Sequence, residues 1–210
     1  MKEYHKIQTV FLRDPETKFK TLLDGEWATP EFEYLQECRW VFTEKVDGTN
    51  VRLIWDGSAT VEYRGKTDRA VLPQPLVDWL DAKAPDFSLV SDGAPMTLYG
   101  EGYGAKIQKG GCNYGDEQKF VLFDARVGDF WLKREAVEDI AKTLGLDVVP
   151  IIGHGTLREM VNMVSEGFKS QWGDFTAEGI VARPAVDLLA RDGSRIITKL
   201  KYKDFRRGAF

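Results

Sequence analysis

Apolar and polar residues alternate along several short stretches that are rich in β-branched and aromatic side chains, a pattern typical of strands. These stretches are residues 40–45, 51–55, 60–64, 97–100, 119–125, 179–182 and 195–201. The Asp56-Gly57 step between two of the stretches is typical of a β-hairpin turn. Because other short turns also separate the stretches, the pattern predicts mainly antiparallel sheets.

Helical periodicity is clearest in the second half of the chain. Residues 133–144 place an apolar stripe on one face and end before Gly145, a typical residue just after a helix. Thr156 and Glu159 form a capping-box pattern, which predicts the start of a second helix with an apolar stripe running to Phe168. A shorter helix is predicted for residues 75–82. Strands precede helices in blocks, so the predicted fold class is α+β.

The length of 210 residues is enough for one sizeable domain, and we expect a single domain over residues 1–210. The net charge of -4 disfavours a protein that coats nucleic acid, although cations cluster in residues 106–109 and 199–207. Cys38 and Cys112 are solitary, which predicts structural thiols. We assign His5 and His154 to structure or surface because neither has a partner pattern.

The N-terminus lacks the apolar core of a signal peptide, and no apolar run reaches the roughly 20 residues that span a bilayer. We therefore expect an intracellular, cytoplasmic protein without a membrane partner, and we expect a monomer. Residues 82–95, with two Pro, two Ser and several acids, are predicted to form a mobile loop.

The segment Thr43-Glu44-Lys45-Val46-Asp47-Gly48-Thr49-Asn50 places an amine at the end of a predicted strand, just before a turn. A lysine in that position is presented at a sheet edge. To attack a phosphorus atom, its amine must be neutral, and nearby cations or burial favour the neutral form. Taken alone, the pattern fits a surface lysine beside a turn equally well.

This segment resembles motif I of the covalent nucleotidyltransferases, the superfamily that holds DNA ligases, RNA ligases and mRNA capping enzymes. Asn50 is most similar to the branch of ATP-dependent RNA ligases related to RNA ligase 2, because the other branches usually carry Arg there. The later motifs of the superfamily are matched in order by residues 63–65, 99–104, 120–124, 178–181 and 199–201. The resemblance implies a nucleotidyltransferase domain, ATP-grasp-like, with antiparallel β-sheets flanked by helices.

The resemblance also implies roles for individual residues. Lys45 would carry AMP, and Lys199 and Lys201 would act with it as catalytic and phosphate-binding cations. The remaining nucleotide contacts would come from Glu44 and Phe123 at the adenine, Arg64 and Glu101 at the sugar, Val46 and Asn50 near the nucleophile, and Glu178. Glu178, with Asp47, would also hold Mg²⁺, or Mn²⁺ in its place, since hard oxygen ligands suit such ions.

Two of these assignments have a basis in the strand pattern. Lys199 and Lys201 are two residues apart on a predicted strand, so both side chains leave the same face, where two cations suit a phosphate. Lys199 and Lys201 would favour the neutral amine of Lys45 if their strand is a neighbour of the strand that precedes Lys45. Phe123 and Asp124 point to opposite faces of their strand, and either face could be the one in the pocket.

The resemblance implies an ATP-dependent RNA ligase that joins 3′-hydroxyl and 5′-phosphate ends through a Lys45-AMP intermediate. Its partners would be RNA ends, in nicked duplex or single-stranded RNA. The family is common in bacteriophages, which is compatible with action in a host cytoplasm. The last motif ends near Lys203 and is followed by residues 204–210, so we expect neither an OB-fold nor another C-terminal domain. The alternatives are a DNA ligase, a capping-type enzyme, and a module that binds RNA ends without sealing them.

Overall fold

The computed structural model describes residues 3–58 and 60–205, and these form two compact units. The first unit consists of residues 3–5 and 47–149, and the second of residues 6–46 and 150–205. The boundary between them falls after Val46, inside the segment that carries Lys45. The expectation of one domain stays a prediction. Arg206 and Arg207, which belong to the cation cluster at residues 199–207, lie outside the described residues.

Strands are more numerous than helices in both units. In chain order they are β1 (Gln8–Thr9), β2 (Phe11–Arg13), β3 (Leu22–Trp27), β4 (Trp40–Glu44), β5 (Thr49–Trp55), β6 (Val61–Arg64), β7 (Met96–Tyr103), β8 (Lys119–Val127), β9 (Phe130–Trp131), β10 (Asp147–Val148), β11 (Ile151–Gly155), β12 (Gly179–Pro184) and β13 (Thr198–Lys201). The α-helices are α1 (Pro30–Tyr34), α2 (Gln74–Lys83), α3 (Arg134–Leu144) and α4 (Leu157–Glu166).

The first unit is built on a six-stranded sheet with the order β10-β8-β7-β5-β6, to which β9 adds by pairing with β8. Only the β10–β8 pair is parallel in this sheet. Alternate residues of its central strands, among them Leu53, Leu98 and Leu122, pack with the inner faces of α2 and α3. The opposite face of the same strands therefore remains available for polar residues.

The second unit contains a five-stranded sheet with the order β1-β13-β12-β4-β11, and a separate β2–β3 pair. β1 runs parallel to β13, and the other neighbours are antiparallel. Phe42, Ile180 and Leu200 pack from one face of the sheet against α4. Phe11 and Phe32, from the N-terminal region, are buried in the same cluster.

The structure confirms the α+β class and the antiparallel sheets. All seven predicted strands and all three predicted helices are present, with shifted ends. The Asp56-Gly57 turn joins β5 and β6 in an antiparallel hairpin, and Thr156 and Glu159 form the expected capping box. α4 ends at Glu166, before the predicted Phe168, because Gly167 takes a φ of 82°.

The sequence pattern missed the short strands at the N-terminus and the strands β9 to β11. β11 contains Gly153 and Gly155, and glycine is depleted in strands, so its pairing with β4 has no local signal. The predicted mobile loop contains the 3-10 turn Phe87–Leu89, and Phe87 is buried in the core of the first unit. No helix among the described residues has the length and apolarity to cross a membrane.

Candidate active site

Lys45 follows the last residue of β4, and its ammonium forms an ion pair with Glu178. The Lys45 Nζ atom lies 2.6 Å from Glu178 Oε2, and the two side chains are 18% and 10% exposed. The backbone also fixes this residue, since the Lys45 N–H donates to the Gly179 carbonyl at 2.9 Å. Lys45 thus lies at the end of its strand, as predicted, with a carboxylate against its amine, but β4 is an internal strand between β12 and β11 and not an edge strand.

Lys201 lies on the other side of the same carboxylate. Its Nζ atom is 2.6 Å from Glu178 Oε1, so one carboxylate contacts two ammonium groups. The register explains this arrangement, because Gly179 of β12 pairs with Lys201 of β13 and accepts the Lys45 N–H from β4. Lys199 pairs with Val181 one step further along, on the same face of the sheet as Lys201.

The predicted effect of Lys199 and Lys201 on Lys45 depended on neighbouring strands, and this condition is not met. β12 separates β4 from β13, and Glu178 lies in direct contact with the amines of Lys45 and Lys201. A carboxylate at this distance favours a protonated ammonium. A nucleophilic role for Lys45 would therefore require that its ammonium first lose a proton.

The charge state of Glu178 follows from the same contacts. Burial by itself would raise the pKa of this carboxyl, but the positive charges of Lys45 and Lys201 hold the pKa below its ordinary value. Glu178 is therefore an anion at neutral pH. The local arrangement has two cations and one anion, which leaves a net positive charge suited to a phosphate.

Glycine at position 179 allows the close strand packing on which this cluster depends. Gly179 has a φ of 157°, and a Cβ atom there would lie 2.0 Å from the Leu200 carbonyl oxygen. The Glu178 carbonyl accepts a hydrogen bond from the Tyr202 N–H at 2.9 Å, which fixes the residue from the other side. A larger residue at position 179 would displace Glu178 from the two lysines.

Glu44 precedes Lys45, and its side chain lies in the row of Ile180 and Leu200, on the opposite face of the sheet from Lys201. It is 1% exposed, and its carboxylate accepts hydrogen bonds from the Ser170 hydroxyl at 2.6 Å and the Gln171 N–H at 2.8 Å. Burial raises its pKa, although these two hydrogen bonds oppose the change. The assigned role at adenine stays a prediction, while the structure shows Glu44 anchoring the chain before Glu178.

In the first unit, Asn50 of β5 and Glu101 of β7 are direct cross-strand partners. Their side chains leave the same face, where neighbouring Cβ atoms lie roughly 5 Å apart. The Asn50 Oδ1 atom is buried and accepts no hydrogen bond from residues 3–58 and 60–205. A buried carbonyl oxygen without a donor is costly unless a ligand supplies one, which fits a binding role for Asn50.

Gly48 lies where the motif I segment approaches β7. A Cβ atom at this position would lie 2.2 Å from the Gly102 carbonyl oxygen and 2.8 Å from Cγ of Glu101. The turn between Lys45 and Asn50 can therefore accept only glycine there without rearrangement. Asp47 is held in the same turn, since its N–H donates to the Tyr114 hydroxyl at 3.0 Å.

Phe123 sits in a β-bulge. Tyr99 of β7 pairs with Asp124, and the next residue, Gly100, pairs with Leu122, so Phe123 is the extra residue of β8. Bulges re-aim side chains and are frequent beside active sites. The Tyr4 ring packs edge-on against Phe123 at a centroid distance of 5.0 Å.

Asp124, next to the bulge, is 1% exposed and accepts a hydrogen bond from the Tyr4 hydroxyl at 2.9 Å. Tyr4 therefore supports both residues whose directions the sequence left open. Phe123 is partly exposed, and Asp124 is buried beside it.

Arg64 ends β6 and forms an ion pair with Glu62. It pairs across the sheet with Arg52 of β5, whose guanidinium is fully buried. Arg52 donates to the Gly65 carbonyl at 2.9 Å and to Asp68 at 2.7 Å, which anchors the turn that follows Arg64. A cavity of about 700 Å³ lies in this region of the first unit, lined in part by Ile54, Glu62, Arg64 and Asp68.

Within the described ranges 3–58 and 60–205, no three His, Cys, Asp or Glu side chains are grouped so as to hold a metal ion. Mg²⁺ often uses only one or two carboxylates and completes its shell with water and phosphate oxygens, so it needs no such group. The carboxylates of Glu178 and Asp47 have suitable chemistry. Both oxygens of Glu178 are engaged by lysines, so a metal there would replace at least one of those contacts.

The sequence analysis did not identify the residues that hold the predicted site residues in place by hydrogen bonds and packing. Tyr4, Arg52, Ser170 and Gln171 lie outside every motif, and their contacts join positions far apart in the chain. Arg52 gave the only local signal, because an arginine among the apolar residues of a strand needs partners when it is buried.

The comparisons with known proteins agree with this geometry. Residues 38–201 match the RNA ligase family. No curated protein sequence matches the chain. The fold is similar to that of Naegleria gruberi RNA ligase in several solved forms, at identities that support the fold alone.

An arginine variant of that ligase, with ATP and Mn, has 16% identity and a TM-score of 0.68 over 96% of this chain and 56% of its own. An aspartate variant without ligand has 16% identity and a TM-score of 0.66 over 99% and 60%. A lysine variant with AMP and Mn has 15% identity and a TM-score of 0.64 over 99% and 60%. The chain spans little more than half the length of these structures.

The fold is therefore the α+β nucleotidyltransferase fold of RNA ligases, as the resemblance implied. Because the match covers most of its length, the chain belongs to the RNA ligase family.

Proposed function

We propose that this protein is an ATP-dependent RNA ligase that carries AMP on Lys45. The observation that carries the proposal is the contact of Lys45 and Lys201 with the single carboxylate of Glu178. All three residues lie inside the segment that matches the RNA ligase family. The ATP, AMP and Mn of the Naegleria gruberi structures support the same nucleotide and a divalent metal here.

In the first step the neutral amine of Lys45 attacks the α-phosphorus of ATP. A nitrogen–phosphorus bond forms, the bond to the pyrophosphate oxygen breaks, and the amine gives up a proton. AMP then passes to a 5′-phosphate end of RNA, which frees Lys45. Finally a 3′-hydroxyl attacks that activated phosphate, and AMP leaves.

Negative charge gathers on phosphate oxygens in each of these steps, and fixed cations stabilise it. Lys201 is already positioned by Glu178, and Lys199 leaves the same face of β13. Any ligand that takes the Glu178 carboxylate away from Lys45 also removes the charge that favours the protonated amine. Ligand binding would in this way activate the nucleophile.

We assign the metal to Glu178, with Asp47 contributing through water. A divalent cation bound there would supply positive charge to the reacting phosphate. In the first unit we assign the sugar to Arg64 and Glu101, the adenine to Phe123, and the nucleophile region or the RNA end to Asn50. The buried, unbonded Oδ1 of Asn50 and the bulge at Phe123 support these assignments. Val46 stays assigned to the nucleotide through its place in the motif.

The sealing reaction tests this proposal. Nicked duplex RNA, single-stranded RNA with 5′-phosphate ends, and nicked DNA are each incubated with the protein, Mg²⁺, and either ATP or GTP. We expect joined RNA with ATP, and no joining by Lys45→Ala. The matched control is Lys142→Ala, at an exposed lysine of α3 outside both cation clusters, which should join RNA at the wild-type rate.

Joining of DNA alone would favour a DNA ligase instead. Use of GTP in place of ATP would favour a capping-type enzyme. Joining of RNA by Lys45→Ala would contradict the proposal. The same reactions decide between nicked duplex and single-stranded ends. Sedimentation of the protein with and without RNA tests the expected monomer.

A further inference from the structure

The turn between β2 and β3 carries two neighbouring residues in the left-handed backbone region. Lys18 has a φ of 55° and Phe19 a φ of 59°, and neither is glycine. This region is costly for residues with a Cβ atom, and an aromatic residue there is a clear outlier. The Phe19 side chain gains little from burial in return, since it is 63% exposed.

Hydrogen bonds within the turn hold this conformation. The Asp14 carbonyl accepts the Phe19 N–H at 2.9 Å, and the Thr17 hydroxyl at 3.0 Å. The Thr17 Oγ1 atom in turn accepts the N–H groups of Lys20 at 3.3 Å and of Thr21 at 3.2 Å. Phe19 is therefore presented by a rigid turn, and a strained residue that persists in such a setting is typical of a functional position.

A chain of contacts inside the second unit connects this turn to the catalytic strand. The Arg13 guanidinium donates to the Phe19 carbonyl at 3.4 Å and to Asp204 Oδ1 at 3.1 Å. Asp204 Oδ2 accepts the N–H of Lys201 at 3.3 Å. β1, which precedes the turn, also pairs with β13 at Lys199. The turn is thus tied to both predicted phosphate-binding lysines.

We propose that this turn binds a single-stranded segment of the RNA substrate, with a base stacked on Phe19. Lys18 and Lys20 are the chain neighbours of Phe19 and are exposed. Asp14 and Glu16 balance their charge over the turn as a whole, so the positive charge is confined to the residues beside Phe19. An exposed aromatic side chain between cations is the arrangement that single-stranded nucleic acids use, because every base can stack and every phosphate is anionic. The inference rests on the proposed function, since it assumes RNA as substrate.

The strain at Phe19 permits a sharp test. Asn tolerates the left-handed region, so Phe19→Asn should unfold at the same temperature as the wild type or higher. Its affinity for a fluorescent single-stranded RNA, measured by anisotropy without ATP, should fall about tenfold, because the base has no ring on which to stack. Phe19→Tyr keeps the ring and should bind within about twofold of the wild type.

Tyr34→Ala is the matched control, since it removes another exposed aromatic ring, at 90% exposure in the same unit; it should leave RNA affinity unchanged. A second variant carries both Lys18→Gln and Lys20→Gln. The slope of the logarithm of its RNA affinity against the logarithm of salt concentration should be shallower than that of the wild type, by about 0.7 for each phosphate that the two lysines neutralise.

Three results would overturn the proposal: no RNA binding by the wild type, equal binding by Phe19→Asn, or an equal decrease in Tyr34→Ala. Because binding is measured without ATP, this proposal and adenylylation at Lys45 can fail independently.

Discussion

The two units hold their candidate residues in different ways. In the second unit, Lys45 and Lys201 both contact Glu178, so the predicted residues stabilise their own arrangement. In the first unit, the support for Phe123 comes from Tyr4, which no motif contains. A cluster of opposite charges can thus be inferred from its members, whereas an aromatic or amide contact depends on neighbours that the sequence does not mark.

The largest expected effect comes from breaking the charge cluster. Glu178→Gln removes the proposed metal ligand and the anion that positions Lys45 and Lys201. Loss of this anion also favours a neutral Lys45, but we expect the loss of the metal and of the positioning to have the larger effect. We expect AMP transfer to Lys45 to slow about 100-fold, which corresponds to roughly 2.7 kcal/mol in the barrier. Single-turnover labelling with ATP measures the rate. Glu166→Gln, an exposed glutamate in the same unit, is the control, and equal rates for both variants would refute a role for Glu178.

The cluster also predicts a dependence of stability on pH in metal-free buffer. Lys45 and Lys201 hold the Glu178 pKa below its ordinary value of 4.5, even though burial opposes them. A lowered folded pKa stabilises the protein above pH 4.5, and this stabilisation is lost as the pH falls through the folded value. The free energies of unfolding of the wild type and Glu178→Gln, measured with urea, should therefore converge as the pH falls below 4.5. If the difference between the two free energies did not change with pH, the ion pairs of Glu178 with Lys45 and Lys201 would be contradicted.

The next largest effect is expected at Glu44. Substitutions there distinguish a structural role, through Ser170 and Gln171, from a role in nucleotide binding. Glu44→Ala removes the acceptor for Ser170 and Gln171, and we expect a loss of about 2 kcal/mol in the free energy of unfolding. Glu44→Gln can keep one acceptor and should recover much of that loss. If Glu44 instead contacts adenine, the KM for ATP would rise in both variants while the unfolding free energy would not change.

The buried carboxyl of Glu44 gives this comparison a second readout. Burial raises its folded pKa above 4.5, so its contribution to stability is complete below that pH and declines as the pH rises through the folded value. Glu44→Gln carries no ionisable group there. Its stability relative to the wild type should therefore improve between pH 4.5 and neutrality, and denaturant unfolding across that range measures the change.

The smallest effect concerns the first unit. Tyr4→Phe removes only the hydroxyl that donates to the buried Asp124, and the ring packing on Phe123 remains. We expect a loss of about 1 kcal/mol in unfolding free energy and an unchanged KM for ATP. Tyr4→Ala should raise that KM as well, because no ring then supports Phe123. Tyr34→Phe, at a ring that is 90% exposed, should change neither quantity.

Local patterns predicted the parts of the fold that local forces determine. The strands that carry the motifs alternate clearly, and α4 begins at a capping box that can be read from Thr156 and Glu159. β1 and β11 could not be predicted, because a two-residue polar strand and a glycine-containing strand form only through pairing with β13 and β4. Tertiary contacts determine such strands.

The same distinction applies to the candidate site. The motif spacing predicted Lys45 at a strand end and Lys201 on the face of Lys199, and the structure shows both. The spacing could not predict that β12 lies between β4 and β13, nor that Glu178 would contact the amines of Lys45 and Lys201. Strand order depends on the packing of the whole sheet, and no residue near Lys45 encodes it.

Locating the AMP is the most direct test of the central claim. The protein is incubated with ATP and Mg²⁺, denatured, digested, and analysed by mass spectrometry for a peptide with added AMP. We predict one adduct, on Lys45, that is absent from Lys45→Ala and retained in Lys142→Ala. An adduct on another residue, or its persistence in Lys45→Ala, would contradict the proposal that Lys45 is the nucleophile.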